Sequence, residues 1–282
     1  MTNKHTLYIE NKHGDKMPAD FRYAQSGEKK PLVLFSHGFK GFKDWGCFPY
    51  MMERLADAGF FCVSFNFSYN GAGEDPKDQL DFTRLDLFAK NTFSRELDDL
   101  GSVIDFLDTN RNSYEYDFEE LYLLGHSRGG GISILKAGED QRVKKLAVLA
   151  SVNSFDRYSD ILKQKWKEAG FFEVLNSRTN QVMRMDYDLI DDLEKNLQRL
   201  DIRKAIENIH VPTLLVHGMQ DITVDYSNGE DLYSRSNKSH TFFRLIENTG
   251  HTFGAVHPYE GTTKALEEVI EILTGFFGNA TA

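Results

Sequence analysis

Gly125-His126-Ser127-Arg128-Gly129 follows directly on the apolar run Leu121-Tyr122-Leu123-Leu124 and opens into Gly130-Gly131-Ile132-Ser133-Ile134-Leu135. A serine flanked by glycines at the end of a strand and the start of a helix sits at a sharp, strained corner. Small neighbours let the backbone turn tightly there and push Oγ into the open. The N–H groups that follow lie at a helix N-terminus, where they can stabilise a developing oxyanion. A serine hydroxyl is a poor nucleophile near neutrality; it needs an imidazole to take its proton and an acid to hold that imidazole's tautomer. Val216-His217-Gly218-Met219-Gln220-Asp221 and Asn248-Thr249-Gly250-His251-Thr252 each follow an apolar run and supply both groups. The chemistry this predicts is acyl transfer, with Ser127 as nucleophile, His251 as base and Asp221 as the acid behind it.

Rivals exist for both partners. Asp225 reads as the cap of the helix after Asp221 and Asp231 as part of that helix, so Asp221 is preferred. His240 begins a strand and His257 precedes Pro258, both ordinary surface settings, so His251 is preferred. His37, His126 and His217 belong to the motifs and are expected to pack and hydrogen-bond beneath the site. Arg128, beside the nucleophile, suits either a substrate carboxylate or an ion pair within its helix.

Short apolar runs carry these residues. Leu7 to Glu10 and Phe21 to Gln25 read as an antiparallel pair joined by His13-Gly14-Asp15. Leu32 to Phe35, Phe60 to Phe67, Leu121 to Leu124, Leu146 to Ala150, Pro212 to Val216 and His240 to Ile246 read as further strands. Between them run helical stripes: Met51, Met52, Leu55 and Ala58; then Leu97, Leu100, Ile104 and Leu107, with Ser94 as the expected N-cap; then Leu266, Val269, Ile270 and Leu273. This alternation predicts an α/β fold, a mostly parallel eight-stranded sheet with helices on both faces. Ser127, Asp221 and His251 then all leave the carboxyl ends of strands, where open α/β sheets bind ligands.

One segment breaks the alternation. Residues 151–210 hold no strand-like run, far exceeding a usual connection of about two to six residues. Leu189, Leu193, Leu197 and Leu200 keep helical spacing there, and Trp166, Phe171, Phe172, Met183, Met185 and Tyr187 supply apolar surface. The expectation is a helical cap at 151–210 inserted after strand 6, with 1–150 and 211–282 forming the core. The cap aromatics are expected mainly in its own core, some facing the serine. Asn70-Gly71-Ala72-Gly73-Glu74-Asp75 reads as a flexible rim loop.

The chain has 282 residues, with 33 Lys+Arg against 43 Asp+Glu and a net charge of −10. An acidic surface repels nucleic acid and anionic membrane, so neither is an expected partner. The N-terminus lacks the apolar core of a signal peptide and no run reaches membrane-span length, which predicts a cytoplasmic protein. Cys47 and Cys62 have no metal or redox spacing, and no H-E-x-x-H pattern occurs. No metal or cofactor is expected, and a homodimer is left open.

His37-Gly38-Phe39, Gly125-His126-Ser127-Arg128-Gly129, His217-Gly218-x-x-Asp221 and Gly250-His251 together resemble the α/β-hydrolase superfamily. Within it the chain is similar to the dienelactone-hydrolase-like and prolyl-oligopeptidase-like branch and to feruloyl/cinnamoyl carboxylesterases, over about Pro31 to Phe277. Dienelactone hydrolases carry a cysteine nucleophile where this chain has serine, and His37-Gly38-Phe39 is not the His-Gly-Gly-Gly form of the hormone-sensitive-lipase group. The resemblance implies an oxyanion hole from the backbone N–H groups of Phe39 and Arg128, and a small-molecule ester as substrate. A peptidase, thioesterase or acyltransferase using the same triad is the alternative; a non-catalytic ligand-binding module is the alternative of another class.

Overall fold

The computed structural model describes residues 2–73, 75 and 81–278. Eight strands form one sheet: β1 (Thr2–Glu10), β2 (Lys16–Ala24), β3 (Lys30–Ser36), β4 (Phe61–Phe65), β5 (Tyr116–His126), β6 (Val143–Leu149), β9 (Thr213–Gly218) and β10 (Thr241–Ile246). Their order is β1-β2-β4-β3-β5-β6-β9-β10. The first two are antiparallel to their neighbours, and the other six run parallel. The opening hairpin is longer than its apolar runs because β1 is mostly exposed and β2 buries the polar Asp20 and Arg22 as well as Met17, Ala19 and Phe21.

Chain order reverses across β3, which has β4 on one side and β5 on the other. Such a switch point splays the loops that leave adjacent strands in opposite directions and opens a crevice. Pairing of Ser36 with Gly125, Gly125 with Val148, Leu149 with Val216, and Gly218 with Ile246 aligns the strand ends, so the following loops share one rim.

The alternating pleat divides the core in two. Leu32 and Leu34 face one layer, with α3 (Phe93–Thr109) and α4 (Arg128–Glu139), while Val33 and Phe35 face the other, with α1 (Phe48–Asp57) and α9 (Lys264–Gly278). Leu97, Leu100, Ile104 and Leu107 of α3 are all fully buried. The α3 cap is Thr92, whose side chain accepts from the Arg95 N–H at 3.3 Å, not the expected Ser94. Ser94 lies inside the first turn, its amide donating to Asp192 at 2.9 Å.

The 151–210 segment differs from its sequence expectation. It carries α5 (Asp160–Ala169), α6 (Asp188–Lys195) and α7 (Ile202–Glu207), but also an antiparallel hairpin of β7 (Phe171–Asn176) and β8 (Gln181–Asp186). Met183 and Met185 face inward while Val182 and Arg184 face out, a period of two in a stretch noted only for its bulky apolar residues. Trp166 of α5 is buried against the hairpin, its Nε1–H donating to the Met185 carbonyl at 3.0 Å. Helix α7 packs on α4 of the core: a Cβ at Gly131 would lie 2.7 Å from Ile202 Cδ1.

Asn70 is buried rather than part of a loose rim. Its Nδ2 donates to the Gly41 carbonyl at 3.3 Å and its Oδ1 accepts from the Ala72 amide at 3.0 Å, which braces the loop after β3. Glu74, named with it in the sequence pattern, lies outside the described residues. No described helix is long and apolar enough to cross a membrane.

Candidate active site

Ser127 occupies the turn between β5 and α4 with φ 56° and ψ −119°, a left-handed, strained backbone for a residue with a side chain. The two glycines of the pentapeptide permit this turn by their lack of bulk. A Cβ at Gly125 would meet the Gly129 carbonyl oxygen at 2.4 Å, and one at Gly129 would meet the His37 carbonyl oxygen at 2.3 Å. Hydrogen bonding pins the corner, with the Ser127 amide donating to the Leu149 carbonyl at 2.9 Å.

Asp221 follows β9 and is buried. Its Oδ1 accepts from the amides of Thr223 at 2.8 Å and Val224 at 2.9 Å, and its Oδ2 lies 2.7 Å from His251 Nδ1. His217 Nε2 lies 3.3 Å from the same Oδ2 and 2.8 Å from the Val224 carbonyl. Burial alone would raise the Asp221 carboxyl; hydrogen bonds from His217 and His251 outweigh it and hold the group far below the usual carboxylate range. The acid behind His251 is thus ionised at neutral pH.

His251 follows β10, and its ring lines the same cavity as Ser127. No direct hydrogen bond joins Ser127 Oγ to the imidazole; catalytic bonds of this kind commonly tighten around substrate. His126 donates its Nε2–H to the His251 carbonyl at 2.9 Å, with the two rings 4.7 Å apart. The rivals go elsewhere. Asp225 Oδ1 accepts from the Ser227 amide and Asp231 pairs with Arg203 and Arg235. His240 Nε2 bonds the Ile209 carbonyl, and His257 Nδ1 accepts from the Gly46 amide.

The loop after β3 turns at once. Gly38 and Gly41 close a turn through a 3.1 Å backbone bond, and Lys40 takes φ 53° within it. His37 beneath it donates from Nδ1 to the Gly38 carbonyl at 2.9 Å and accepts the Phe67 amide on Nε2 at 3.3 Å. A Cβ at Gly38 would lie 2.9 Å from Ser127 Cβ, so this loop packs directly on the serine. Neither the Phe39 nor the Arg128 amide has a hydrogen-bond partner among the described residues. Two unpartnered N–H groups beside a serine on a strained corner suit a transient oxyanion.

Two cavities flank Ser127. One, of about 300 Å³, is walled by Phe39, Phe93, Val152, Phe155, Tyr158 and Val224, with Phe93 stacked on Phe155 at 4.2 Å. The other, of about 350 Å³, runs past Trp45 and Phe48 to the end of the β7–β8 hairpin at Asn176–Arg178. Arg128 lines the first but is engaged, paired with Glu96 at 3.3 Å and lying 4.1 Å over the Phe39 ring. Of the bulky residues named from sequence in 151–210, Trp166 is buried away from the cavity, whereas Phe155 and Tyr158, which were not named, reach it. Those two lie just after β6, and only their position past a strand end in the parallel sheet could have marked them.

Comparison with known proteins agrees with this architecture. Residues 31–181 match the model of the alpha/beta hydrolase fold family. In sequence, an uncharacterised 31.7 kDa Escherichia coli protein from the traX-finO intergenic region is 27% identical over 135 residues, 48% of this chain and 42% of that protein. The match therefore spans less than half of that relative's length. In structure, Est1E from Butyrivibrio proteoclasticus, solved with ferulic acid bound, is 19% identical with a TM-score of 0.71, covering 96% of this chain and 97% of that one. The esterase domain of a Rhodothermus marinus protein is 18% identical with a TM-score of 0.65, covering 97% of each chain. Dienelactone hydrolase from Anabaena variabilis is 17% identical with a TM-score of 0.62, covering 98% and 97%. By its matched sequence and its sheet alike, the chain belongs to the α/β-hydrolase family.

Proposed function

We propose that this protein is a serine hydrolase that cleaves small or medium carboxylic esters through an acyl-enzyme. The observation that carries the reading is the shared rim. Ser127 stands on a strained corner, and His251, bonded to the ionised Asp221 at 2.7 Å, lines the same cavity. In the first half-reaction Ser127 Oγ attacks the ester carbonyl carbon while His251 Nε2 takes its proton. The carbonyl oxygen becomes an oxyanion received by the Phe39 and Arg128 amides. Collapse of the tetrahedral intermediate expels the alkoxide, which takes the proton from His251 and leaves an acyl group on Ser127. Water, deprotonated by His251, repeats the sequence and releases the acid.

An ester of a ferulate-like acid, the acid bound in one structural relative, suits the aromatic wall of Phe93, Phe155 and Tyr158. The test is pre-steady-state release of p-nitrophenol from short-chain p-nitrophenyl esters. A burst equal to the enzyme concentration, followed by slower turnover, is expected of an acyl-enzyme. Comparable rates on aminoacyl anilides with none on esters would overturn the ester reading in favour of a peptidase.

A further inference from the structure

The walls of both cavities beside Ser127 hold four cationic side chains, Lys40, Arg128, Arg157 and Arg178, and no aspartate or glutamate among the described residues. This runs against the composition of the chain, whose net charge is −10. Elsewhere many of its basic groups are matched: Arg142 contacts Asp105, Asp108 and Asp140, and Arg199 contacts Asp98 and Glu139, while Lys144, Lys238 and Arg244, outside the cleft, meet backbone carbonyls. In the cleft, Arg128 is paired with Glu96, and Arg178 with Asp81 at 3.4 Å.

Lys40 and Arg157 are different. Neither has a carboxylate within ion-pair distance among the described residues. Lys40 Nζ meets the Leu175 carbonyl at 3.4 Å and lies 5.8 Å over the Phe39 ring, and Arg157 Nη2 meets the Thr223 carbonyl at 3.5 Å. Both line the aromatic cavity that also holds Ser127 and His251. Two cations without a carboxylate partner among the described residues, on the wall of an apolar cleft, favour a positive potential there. A guanidinium is also suited to bidentate capture of a planar carboxylate.

We propose that Lys40 and Arg157 select esters that carry a second, ionised carboxylate, with the apolar body of the substrate against Phe93, Phe155 and Tyr158. This rests on the ester-hydrolase reading above. The carboxylate is recognised and not consumed; the scissile bond is still the ester at Ser127.

Paired substrates of equal shape test it. The mono-p-nitrophenyl ester of adipic acid is compared with p-nitrophenyl hexanoate, which puts the charge on the acyl side. The para-carboxyphenyl and para-carbamoylphenyl hexanoates are compared in the same way for the alcohol side. A preference of about 10-fold in kcat/KM for the anionic member of one pair is expected, between the strengths of an exposed ion pair and a charge-assisted hydrogen bond. Raising ionic strength should shrink that ratio. Arg157→Gln and Lys40→Gln should each cut the ratio by at least about 3-fold, whatever they do to absolute rates. Neutral members cleaved as well as anionic ones in both pairs would overturn this inference and leave the hydrolase reading standing. A ratio unmoved by both substitutions would also overturn it. No cleavage of any of the four esters would sink the hydrolase reading, and this inference with it.

Discussion

His251 Nδ1 lies 2.7 Å from Asp221 Oδ2, and this bond, with that of the Gln220 amide to the Thr249 carbonyl, ties the loop after β9 to the loop after β10. The carboxylate is over-determined: two amides and His217 hold it independently of His251. Its position therefore survives loss of the imidazole, while the imidazole's tautomer does not survive loss of the acid.

Asp221→Asn should keep the fold and lower kcat on a p-nitrophenyl ester by ~10⁴-fold, the scale set by loss of the correct tautomer in a serine triad. The amide cannot accept from His251 and the two loop amides as the carboxylate does. Steady-state kinetics with a circular-dichroism check decides it; a fall of less than about 10-fold would remove Asp221 from the assigned role.

The turn after β3 touches the serine through Gly38, where an added methyl would lie 2.9 Å from Ser127 Cβ and 3.1 Å from the His126 carbonyl. Gly38→Ala must displace the Phe39 amide relative to Oγ. A misplacement near 1 Å costs about 100-fold in rate, so kcat should drop by ~10- to 100-fold with KM little changed. Wild-type kcat in a folded variant would show that this loop does not serve the reaction.

Glu96 and Arg128 form a nearly buried pair behind the cavity, with Asn91 Nδ2 donating to the same Glu96 oxygen at 2.6 Å. Glu96→Ala leaves a buried guanidinium unpaired and should destabilise the protein by about 3 kcal/mol. Adding Arg128→Met should recover much of that loss, since it removes the stranded charge. Urea denaturation of the two variants measures this. Additive losses in the double variant would contradict a coupled pair.

Acid stability should bear the mark of His126. Burial pulls His37 down to about 4 and His126 down to about 3, the nearby His251 adding to the latter. A depressed histidine pKa contributes stability that is full above the unfolded value of about 6.5 and is lost as pH falls toward the folded value. Burial pushes Asp99 up to about 7, and it raises Glu96 as well; these act in the opposite sense over the same range. The wild-type stability curve between about pH 4.5 and 6 should thus be shallow. His126→Gln should lower its slope by about 1.4 kcal/mol per pH unit, and Asp99→Asn should raise it by about the same. Curves parallel to wild type would contradict the burial argument.

The sheet and the serine corner were legible for related reasons. A fully buried parallel strand has to be a short apolar run, and Leu32 to Phe35 and Leu121 to Leu124 are such runs. The serine corner was legible because close backbone approach at Gly125 and Gly129 admits no other residue. The β7–β8 hairpin was hidden because its outer face is not polar throughout: Leu175 and Val182 are exposed partners on it, blurring the alternation. Asn176, whose Oδ1 accepts the Arg178 amide at 3.3 Å, and Asn180, with φ 55°, were the turn signals it offered. Asn70 was read as rim because glycines surround it; its bond to Ala72 is a local turn, but its bond to Gly41 depends on a loop from a different strand, which no local pattern announces. The capping role fell to Thr92 instead of Ser94 because the first turn of α3 begins at Phe93, which is drawn into the core beside Phe155.

The central claim is that Ser127 is made reactive by His251. Reaction with a fluorophosphonate probe, followed by mass mapping of the adduct, tests it most directly. One phosphonyl group per chain on Ser127 is expected, with His251→Ala labelled at least about 100-fold more slowly, within the range set by general-base catalysis. An adduct on another residue, or His251→Ala labelled as fast as wild type, would contradict it.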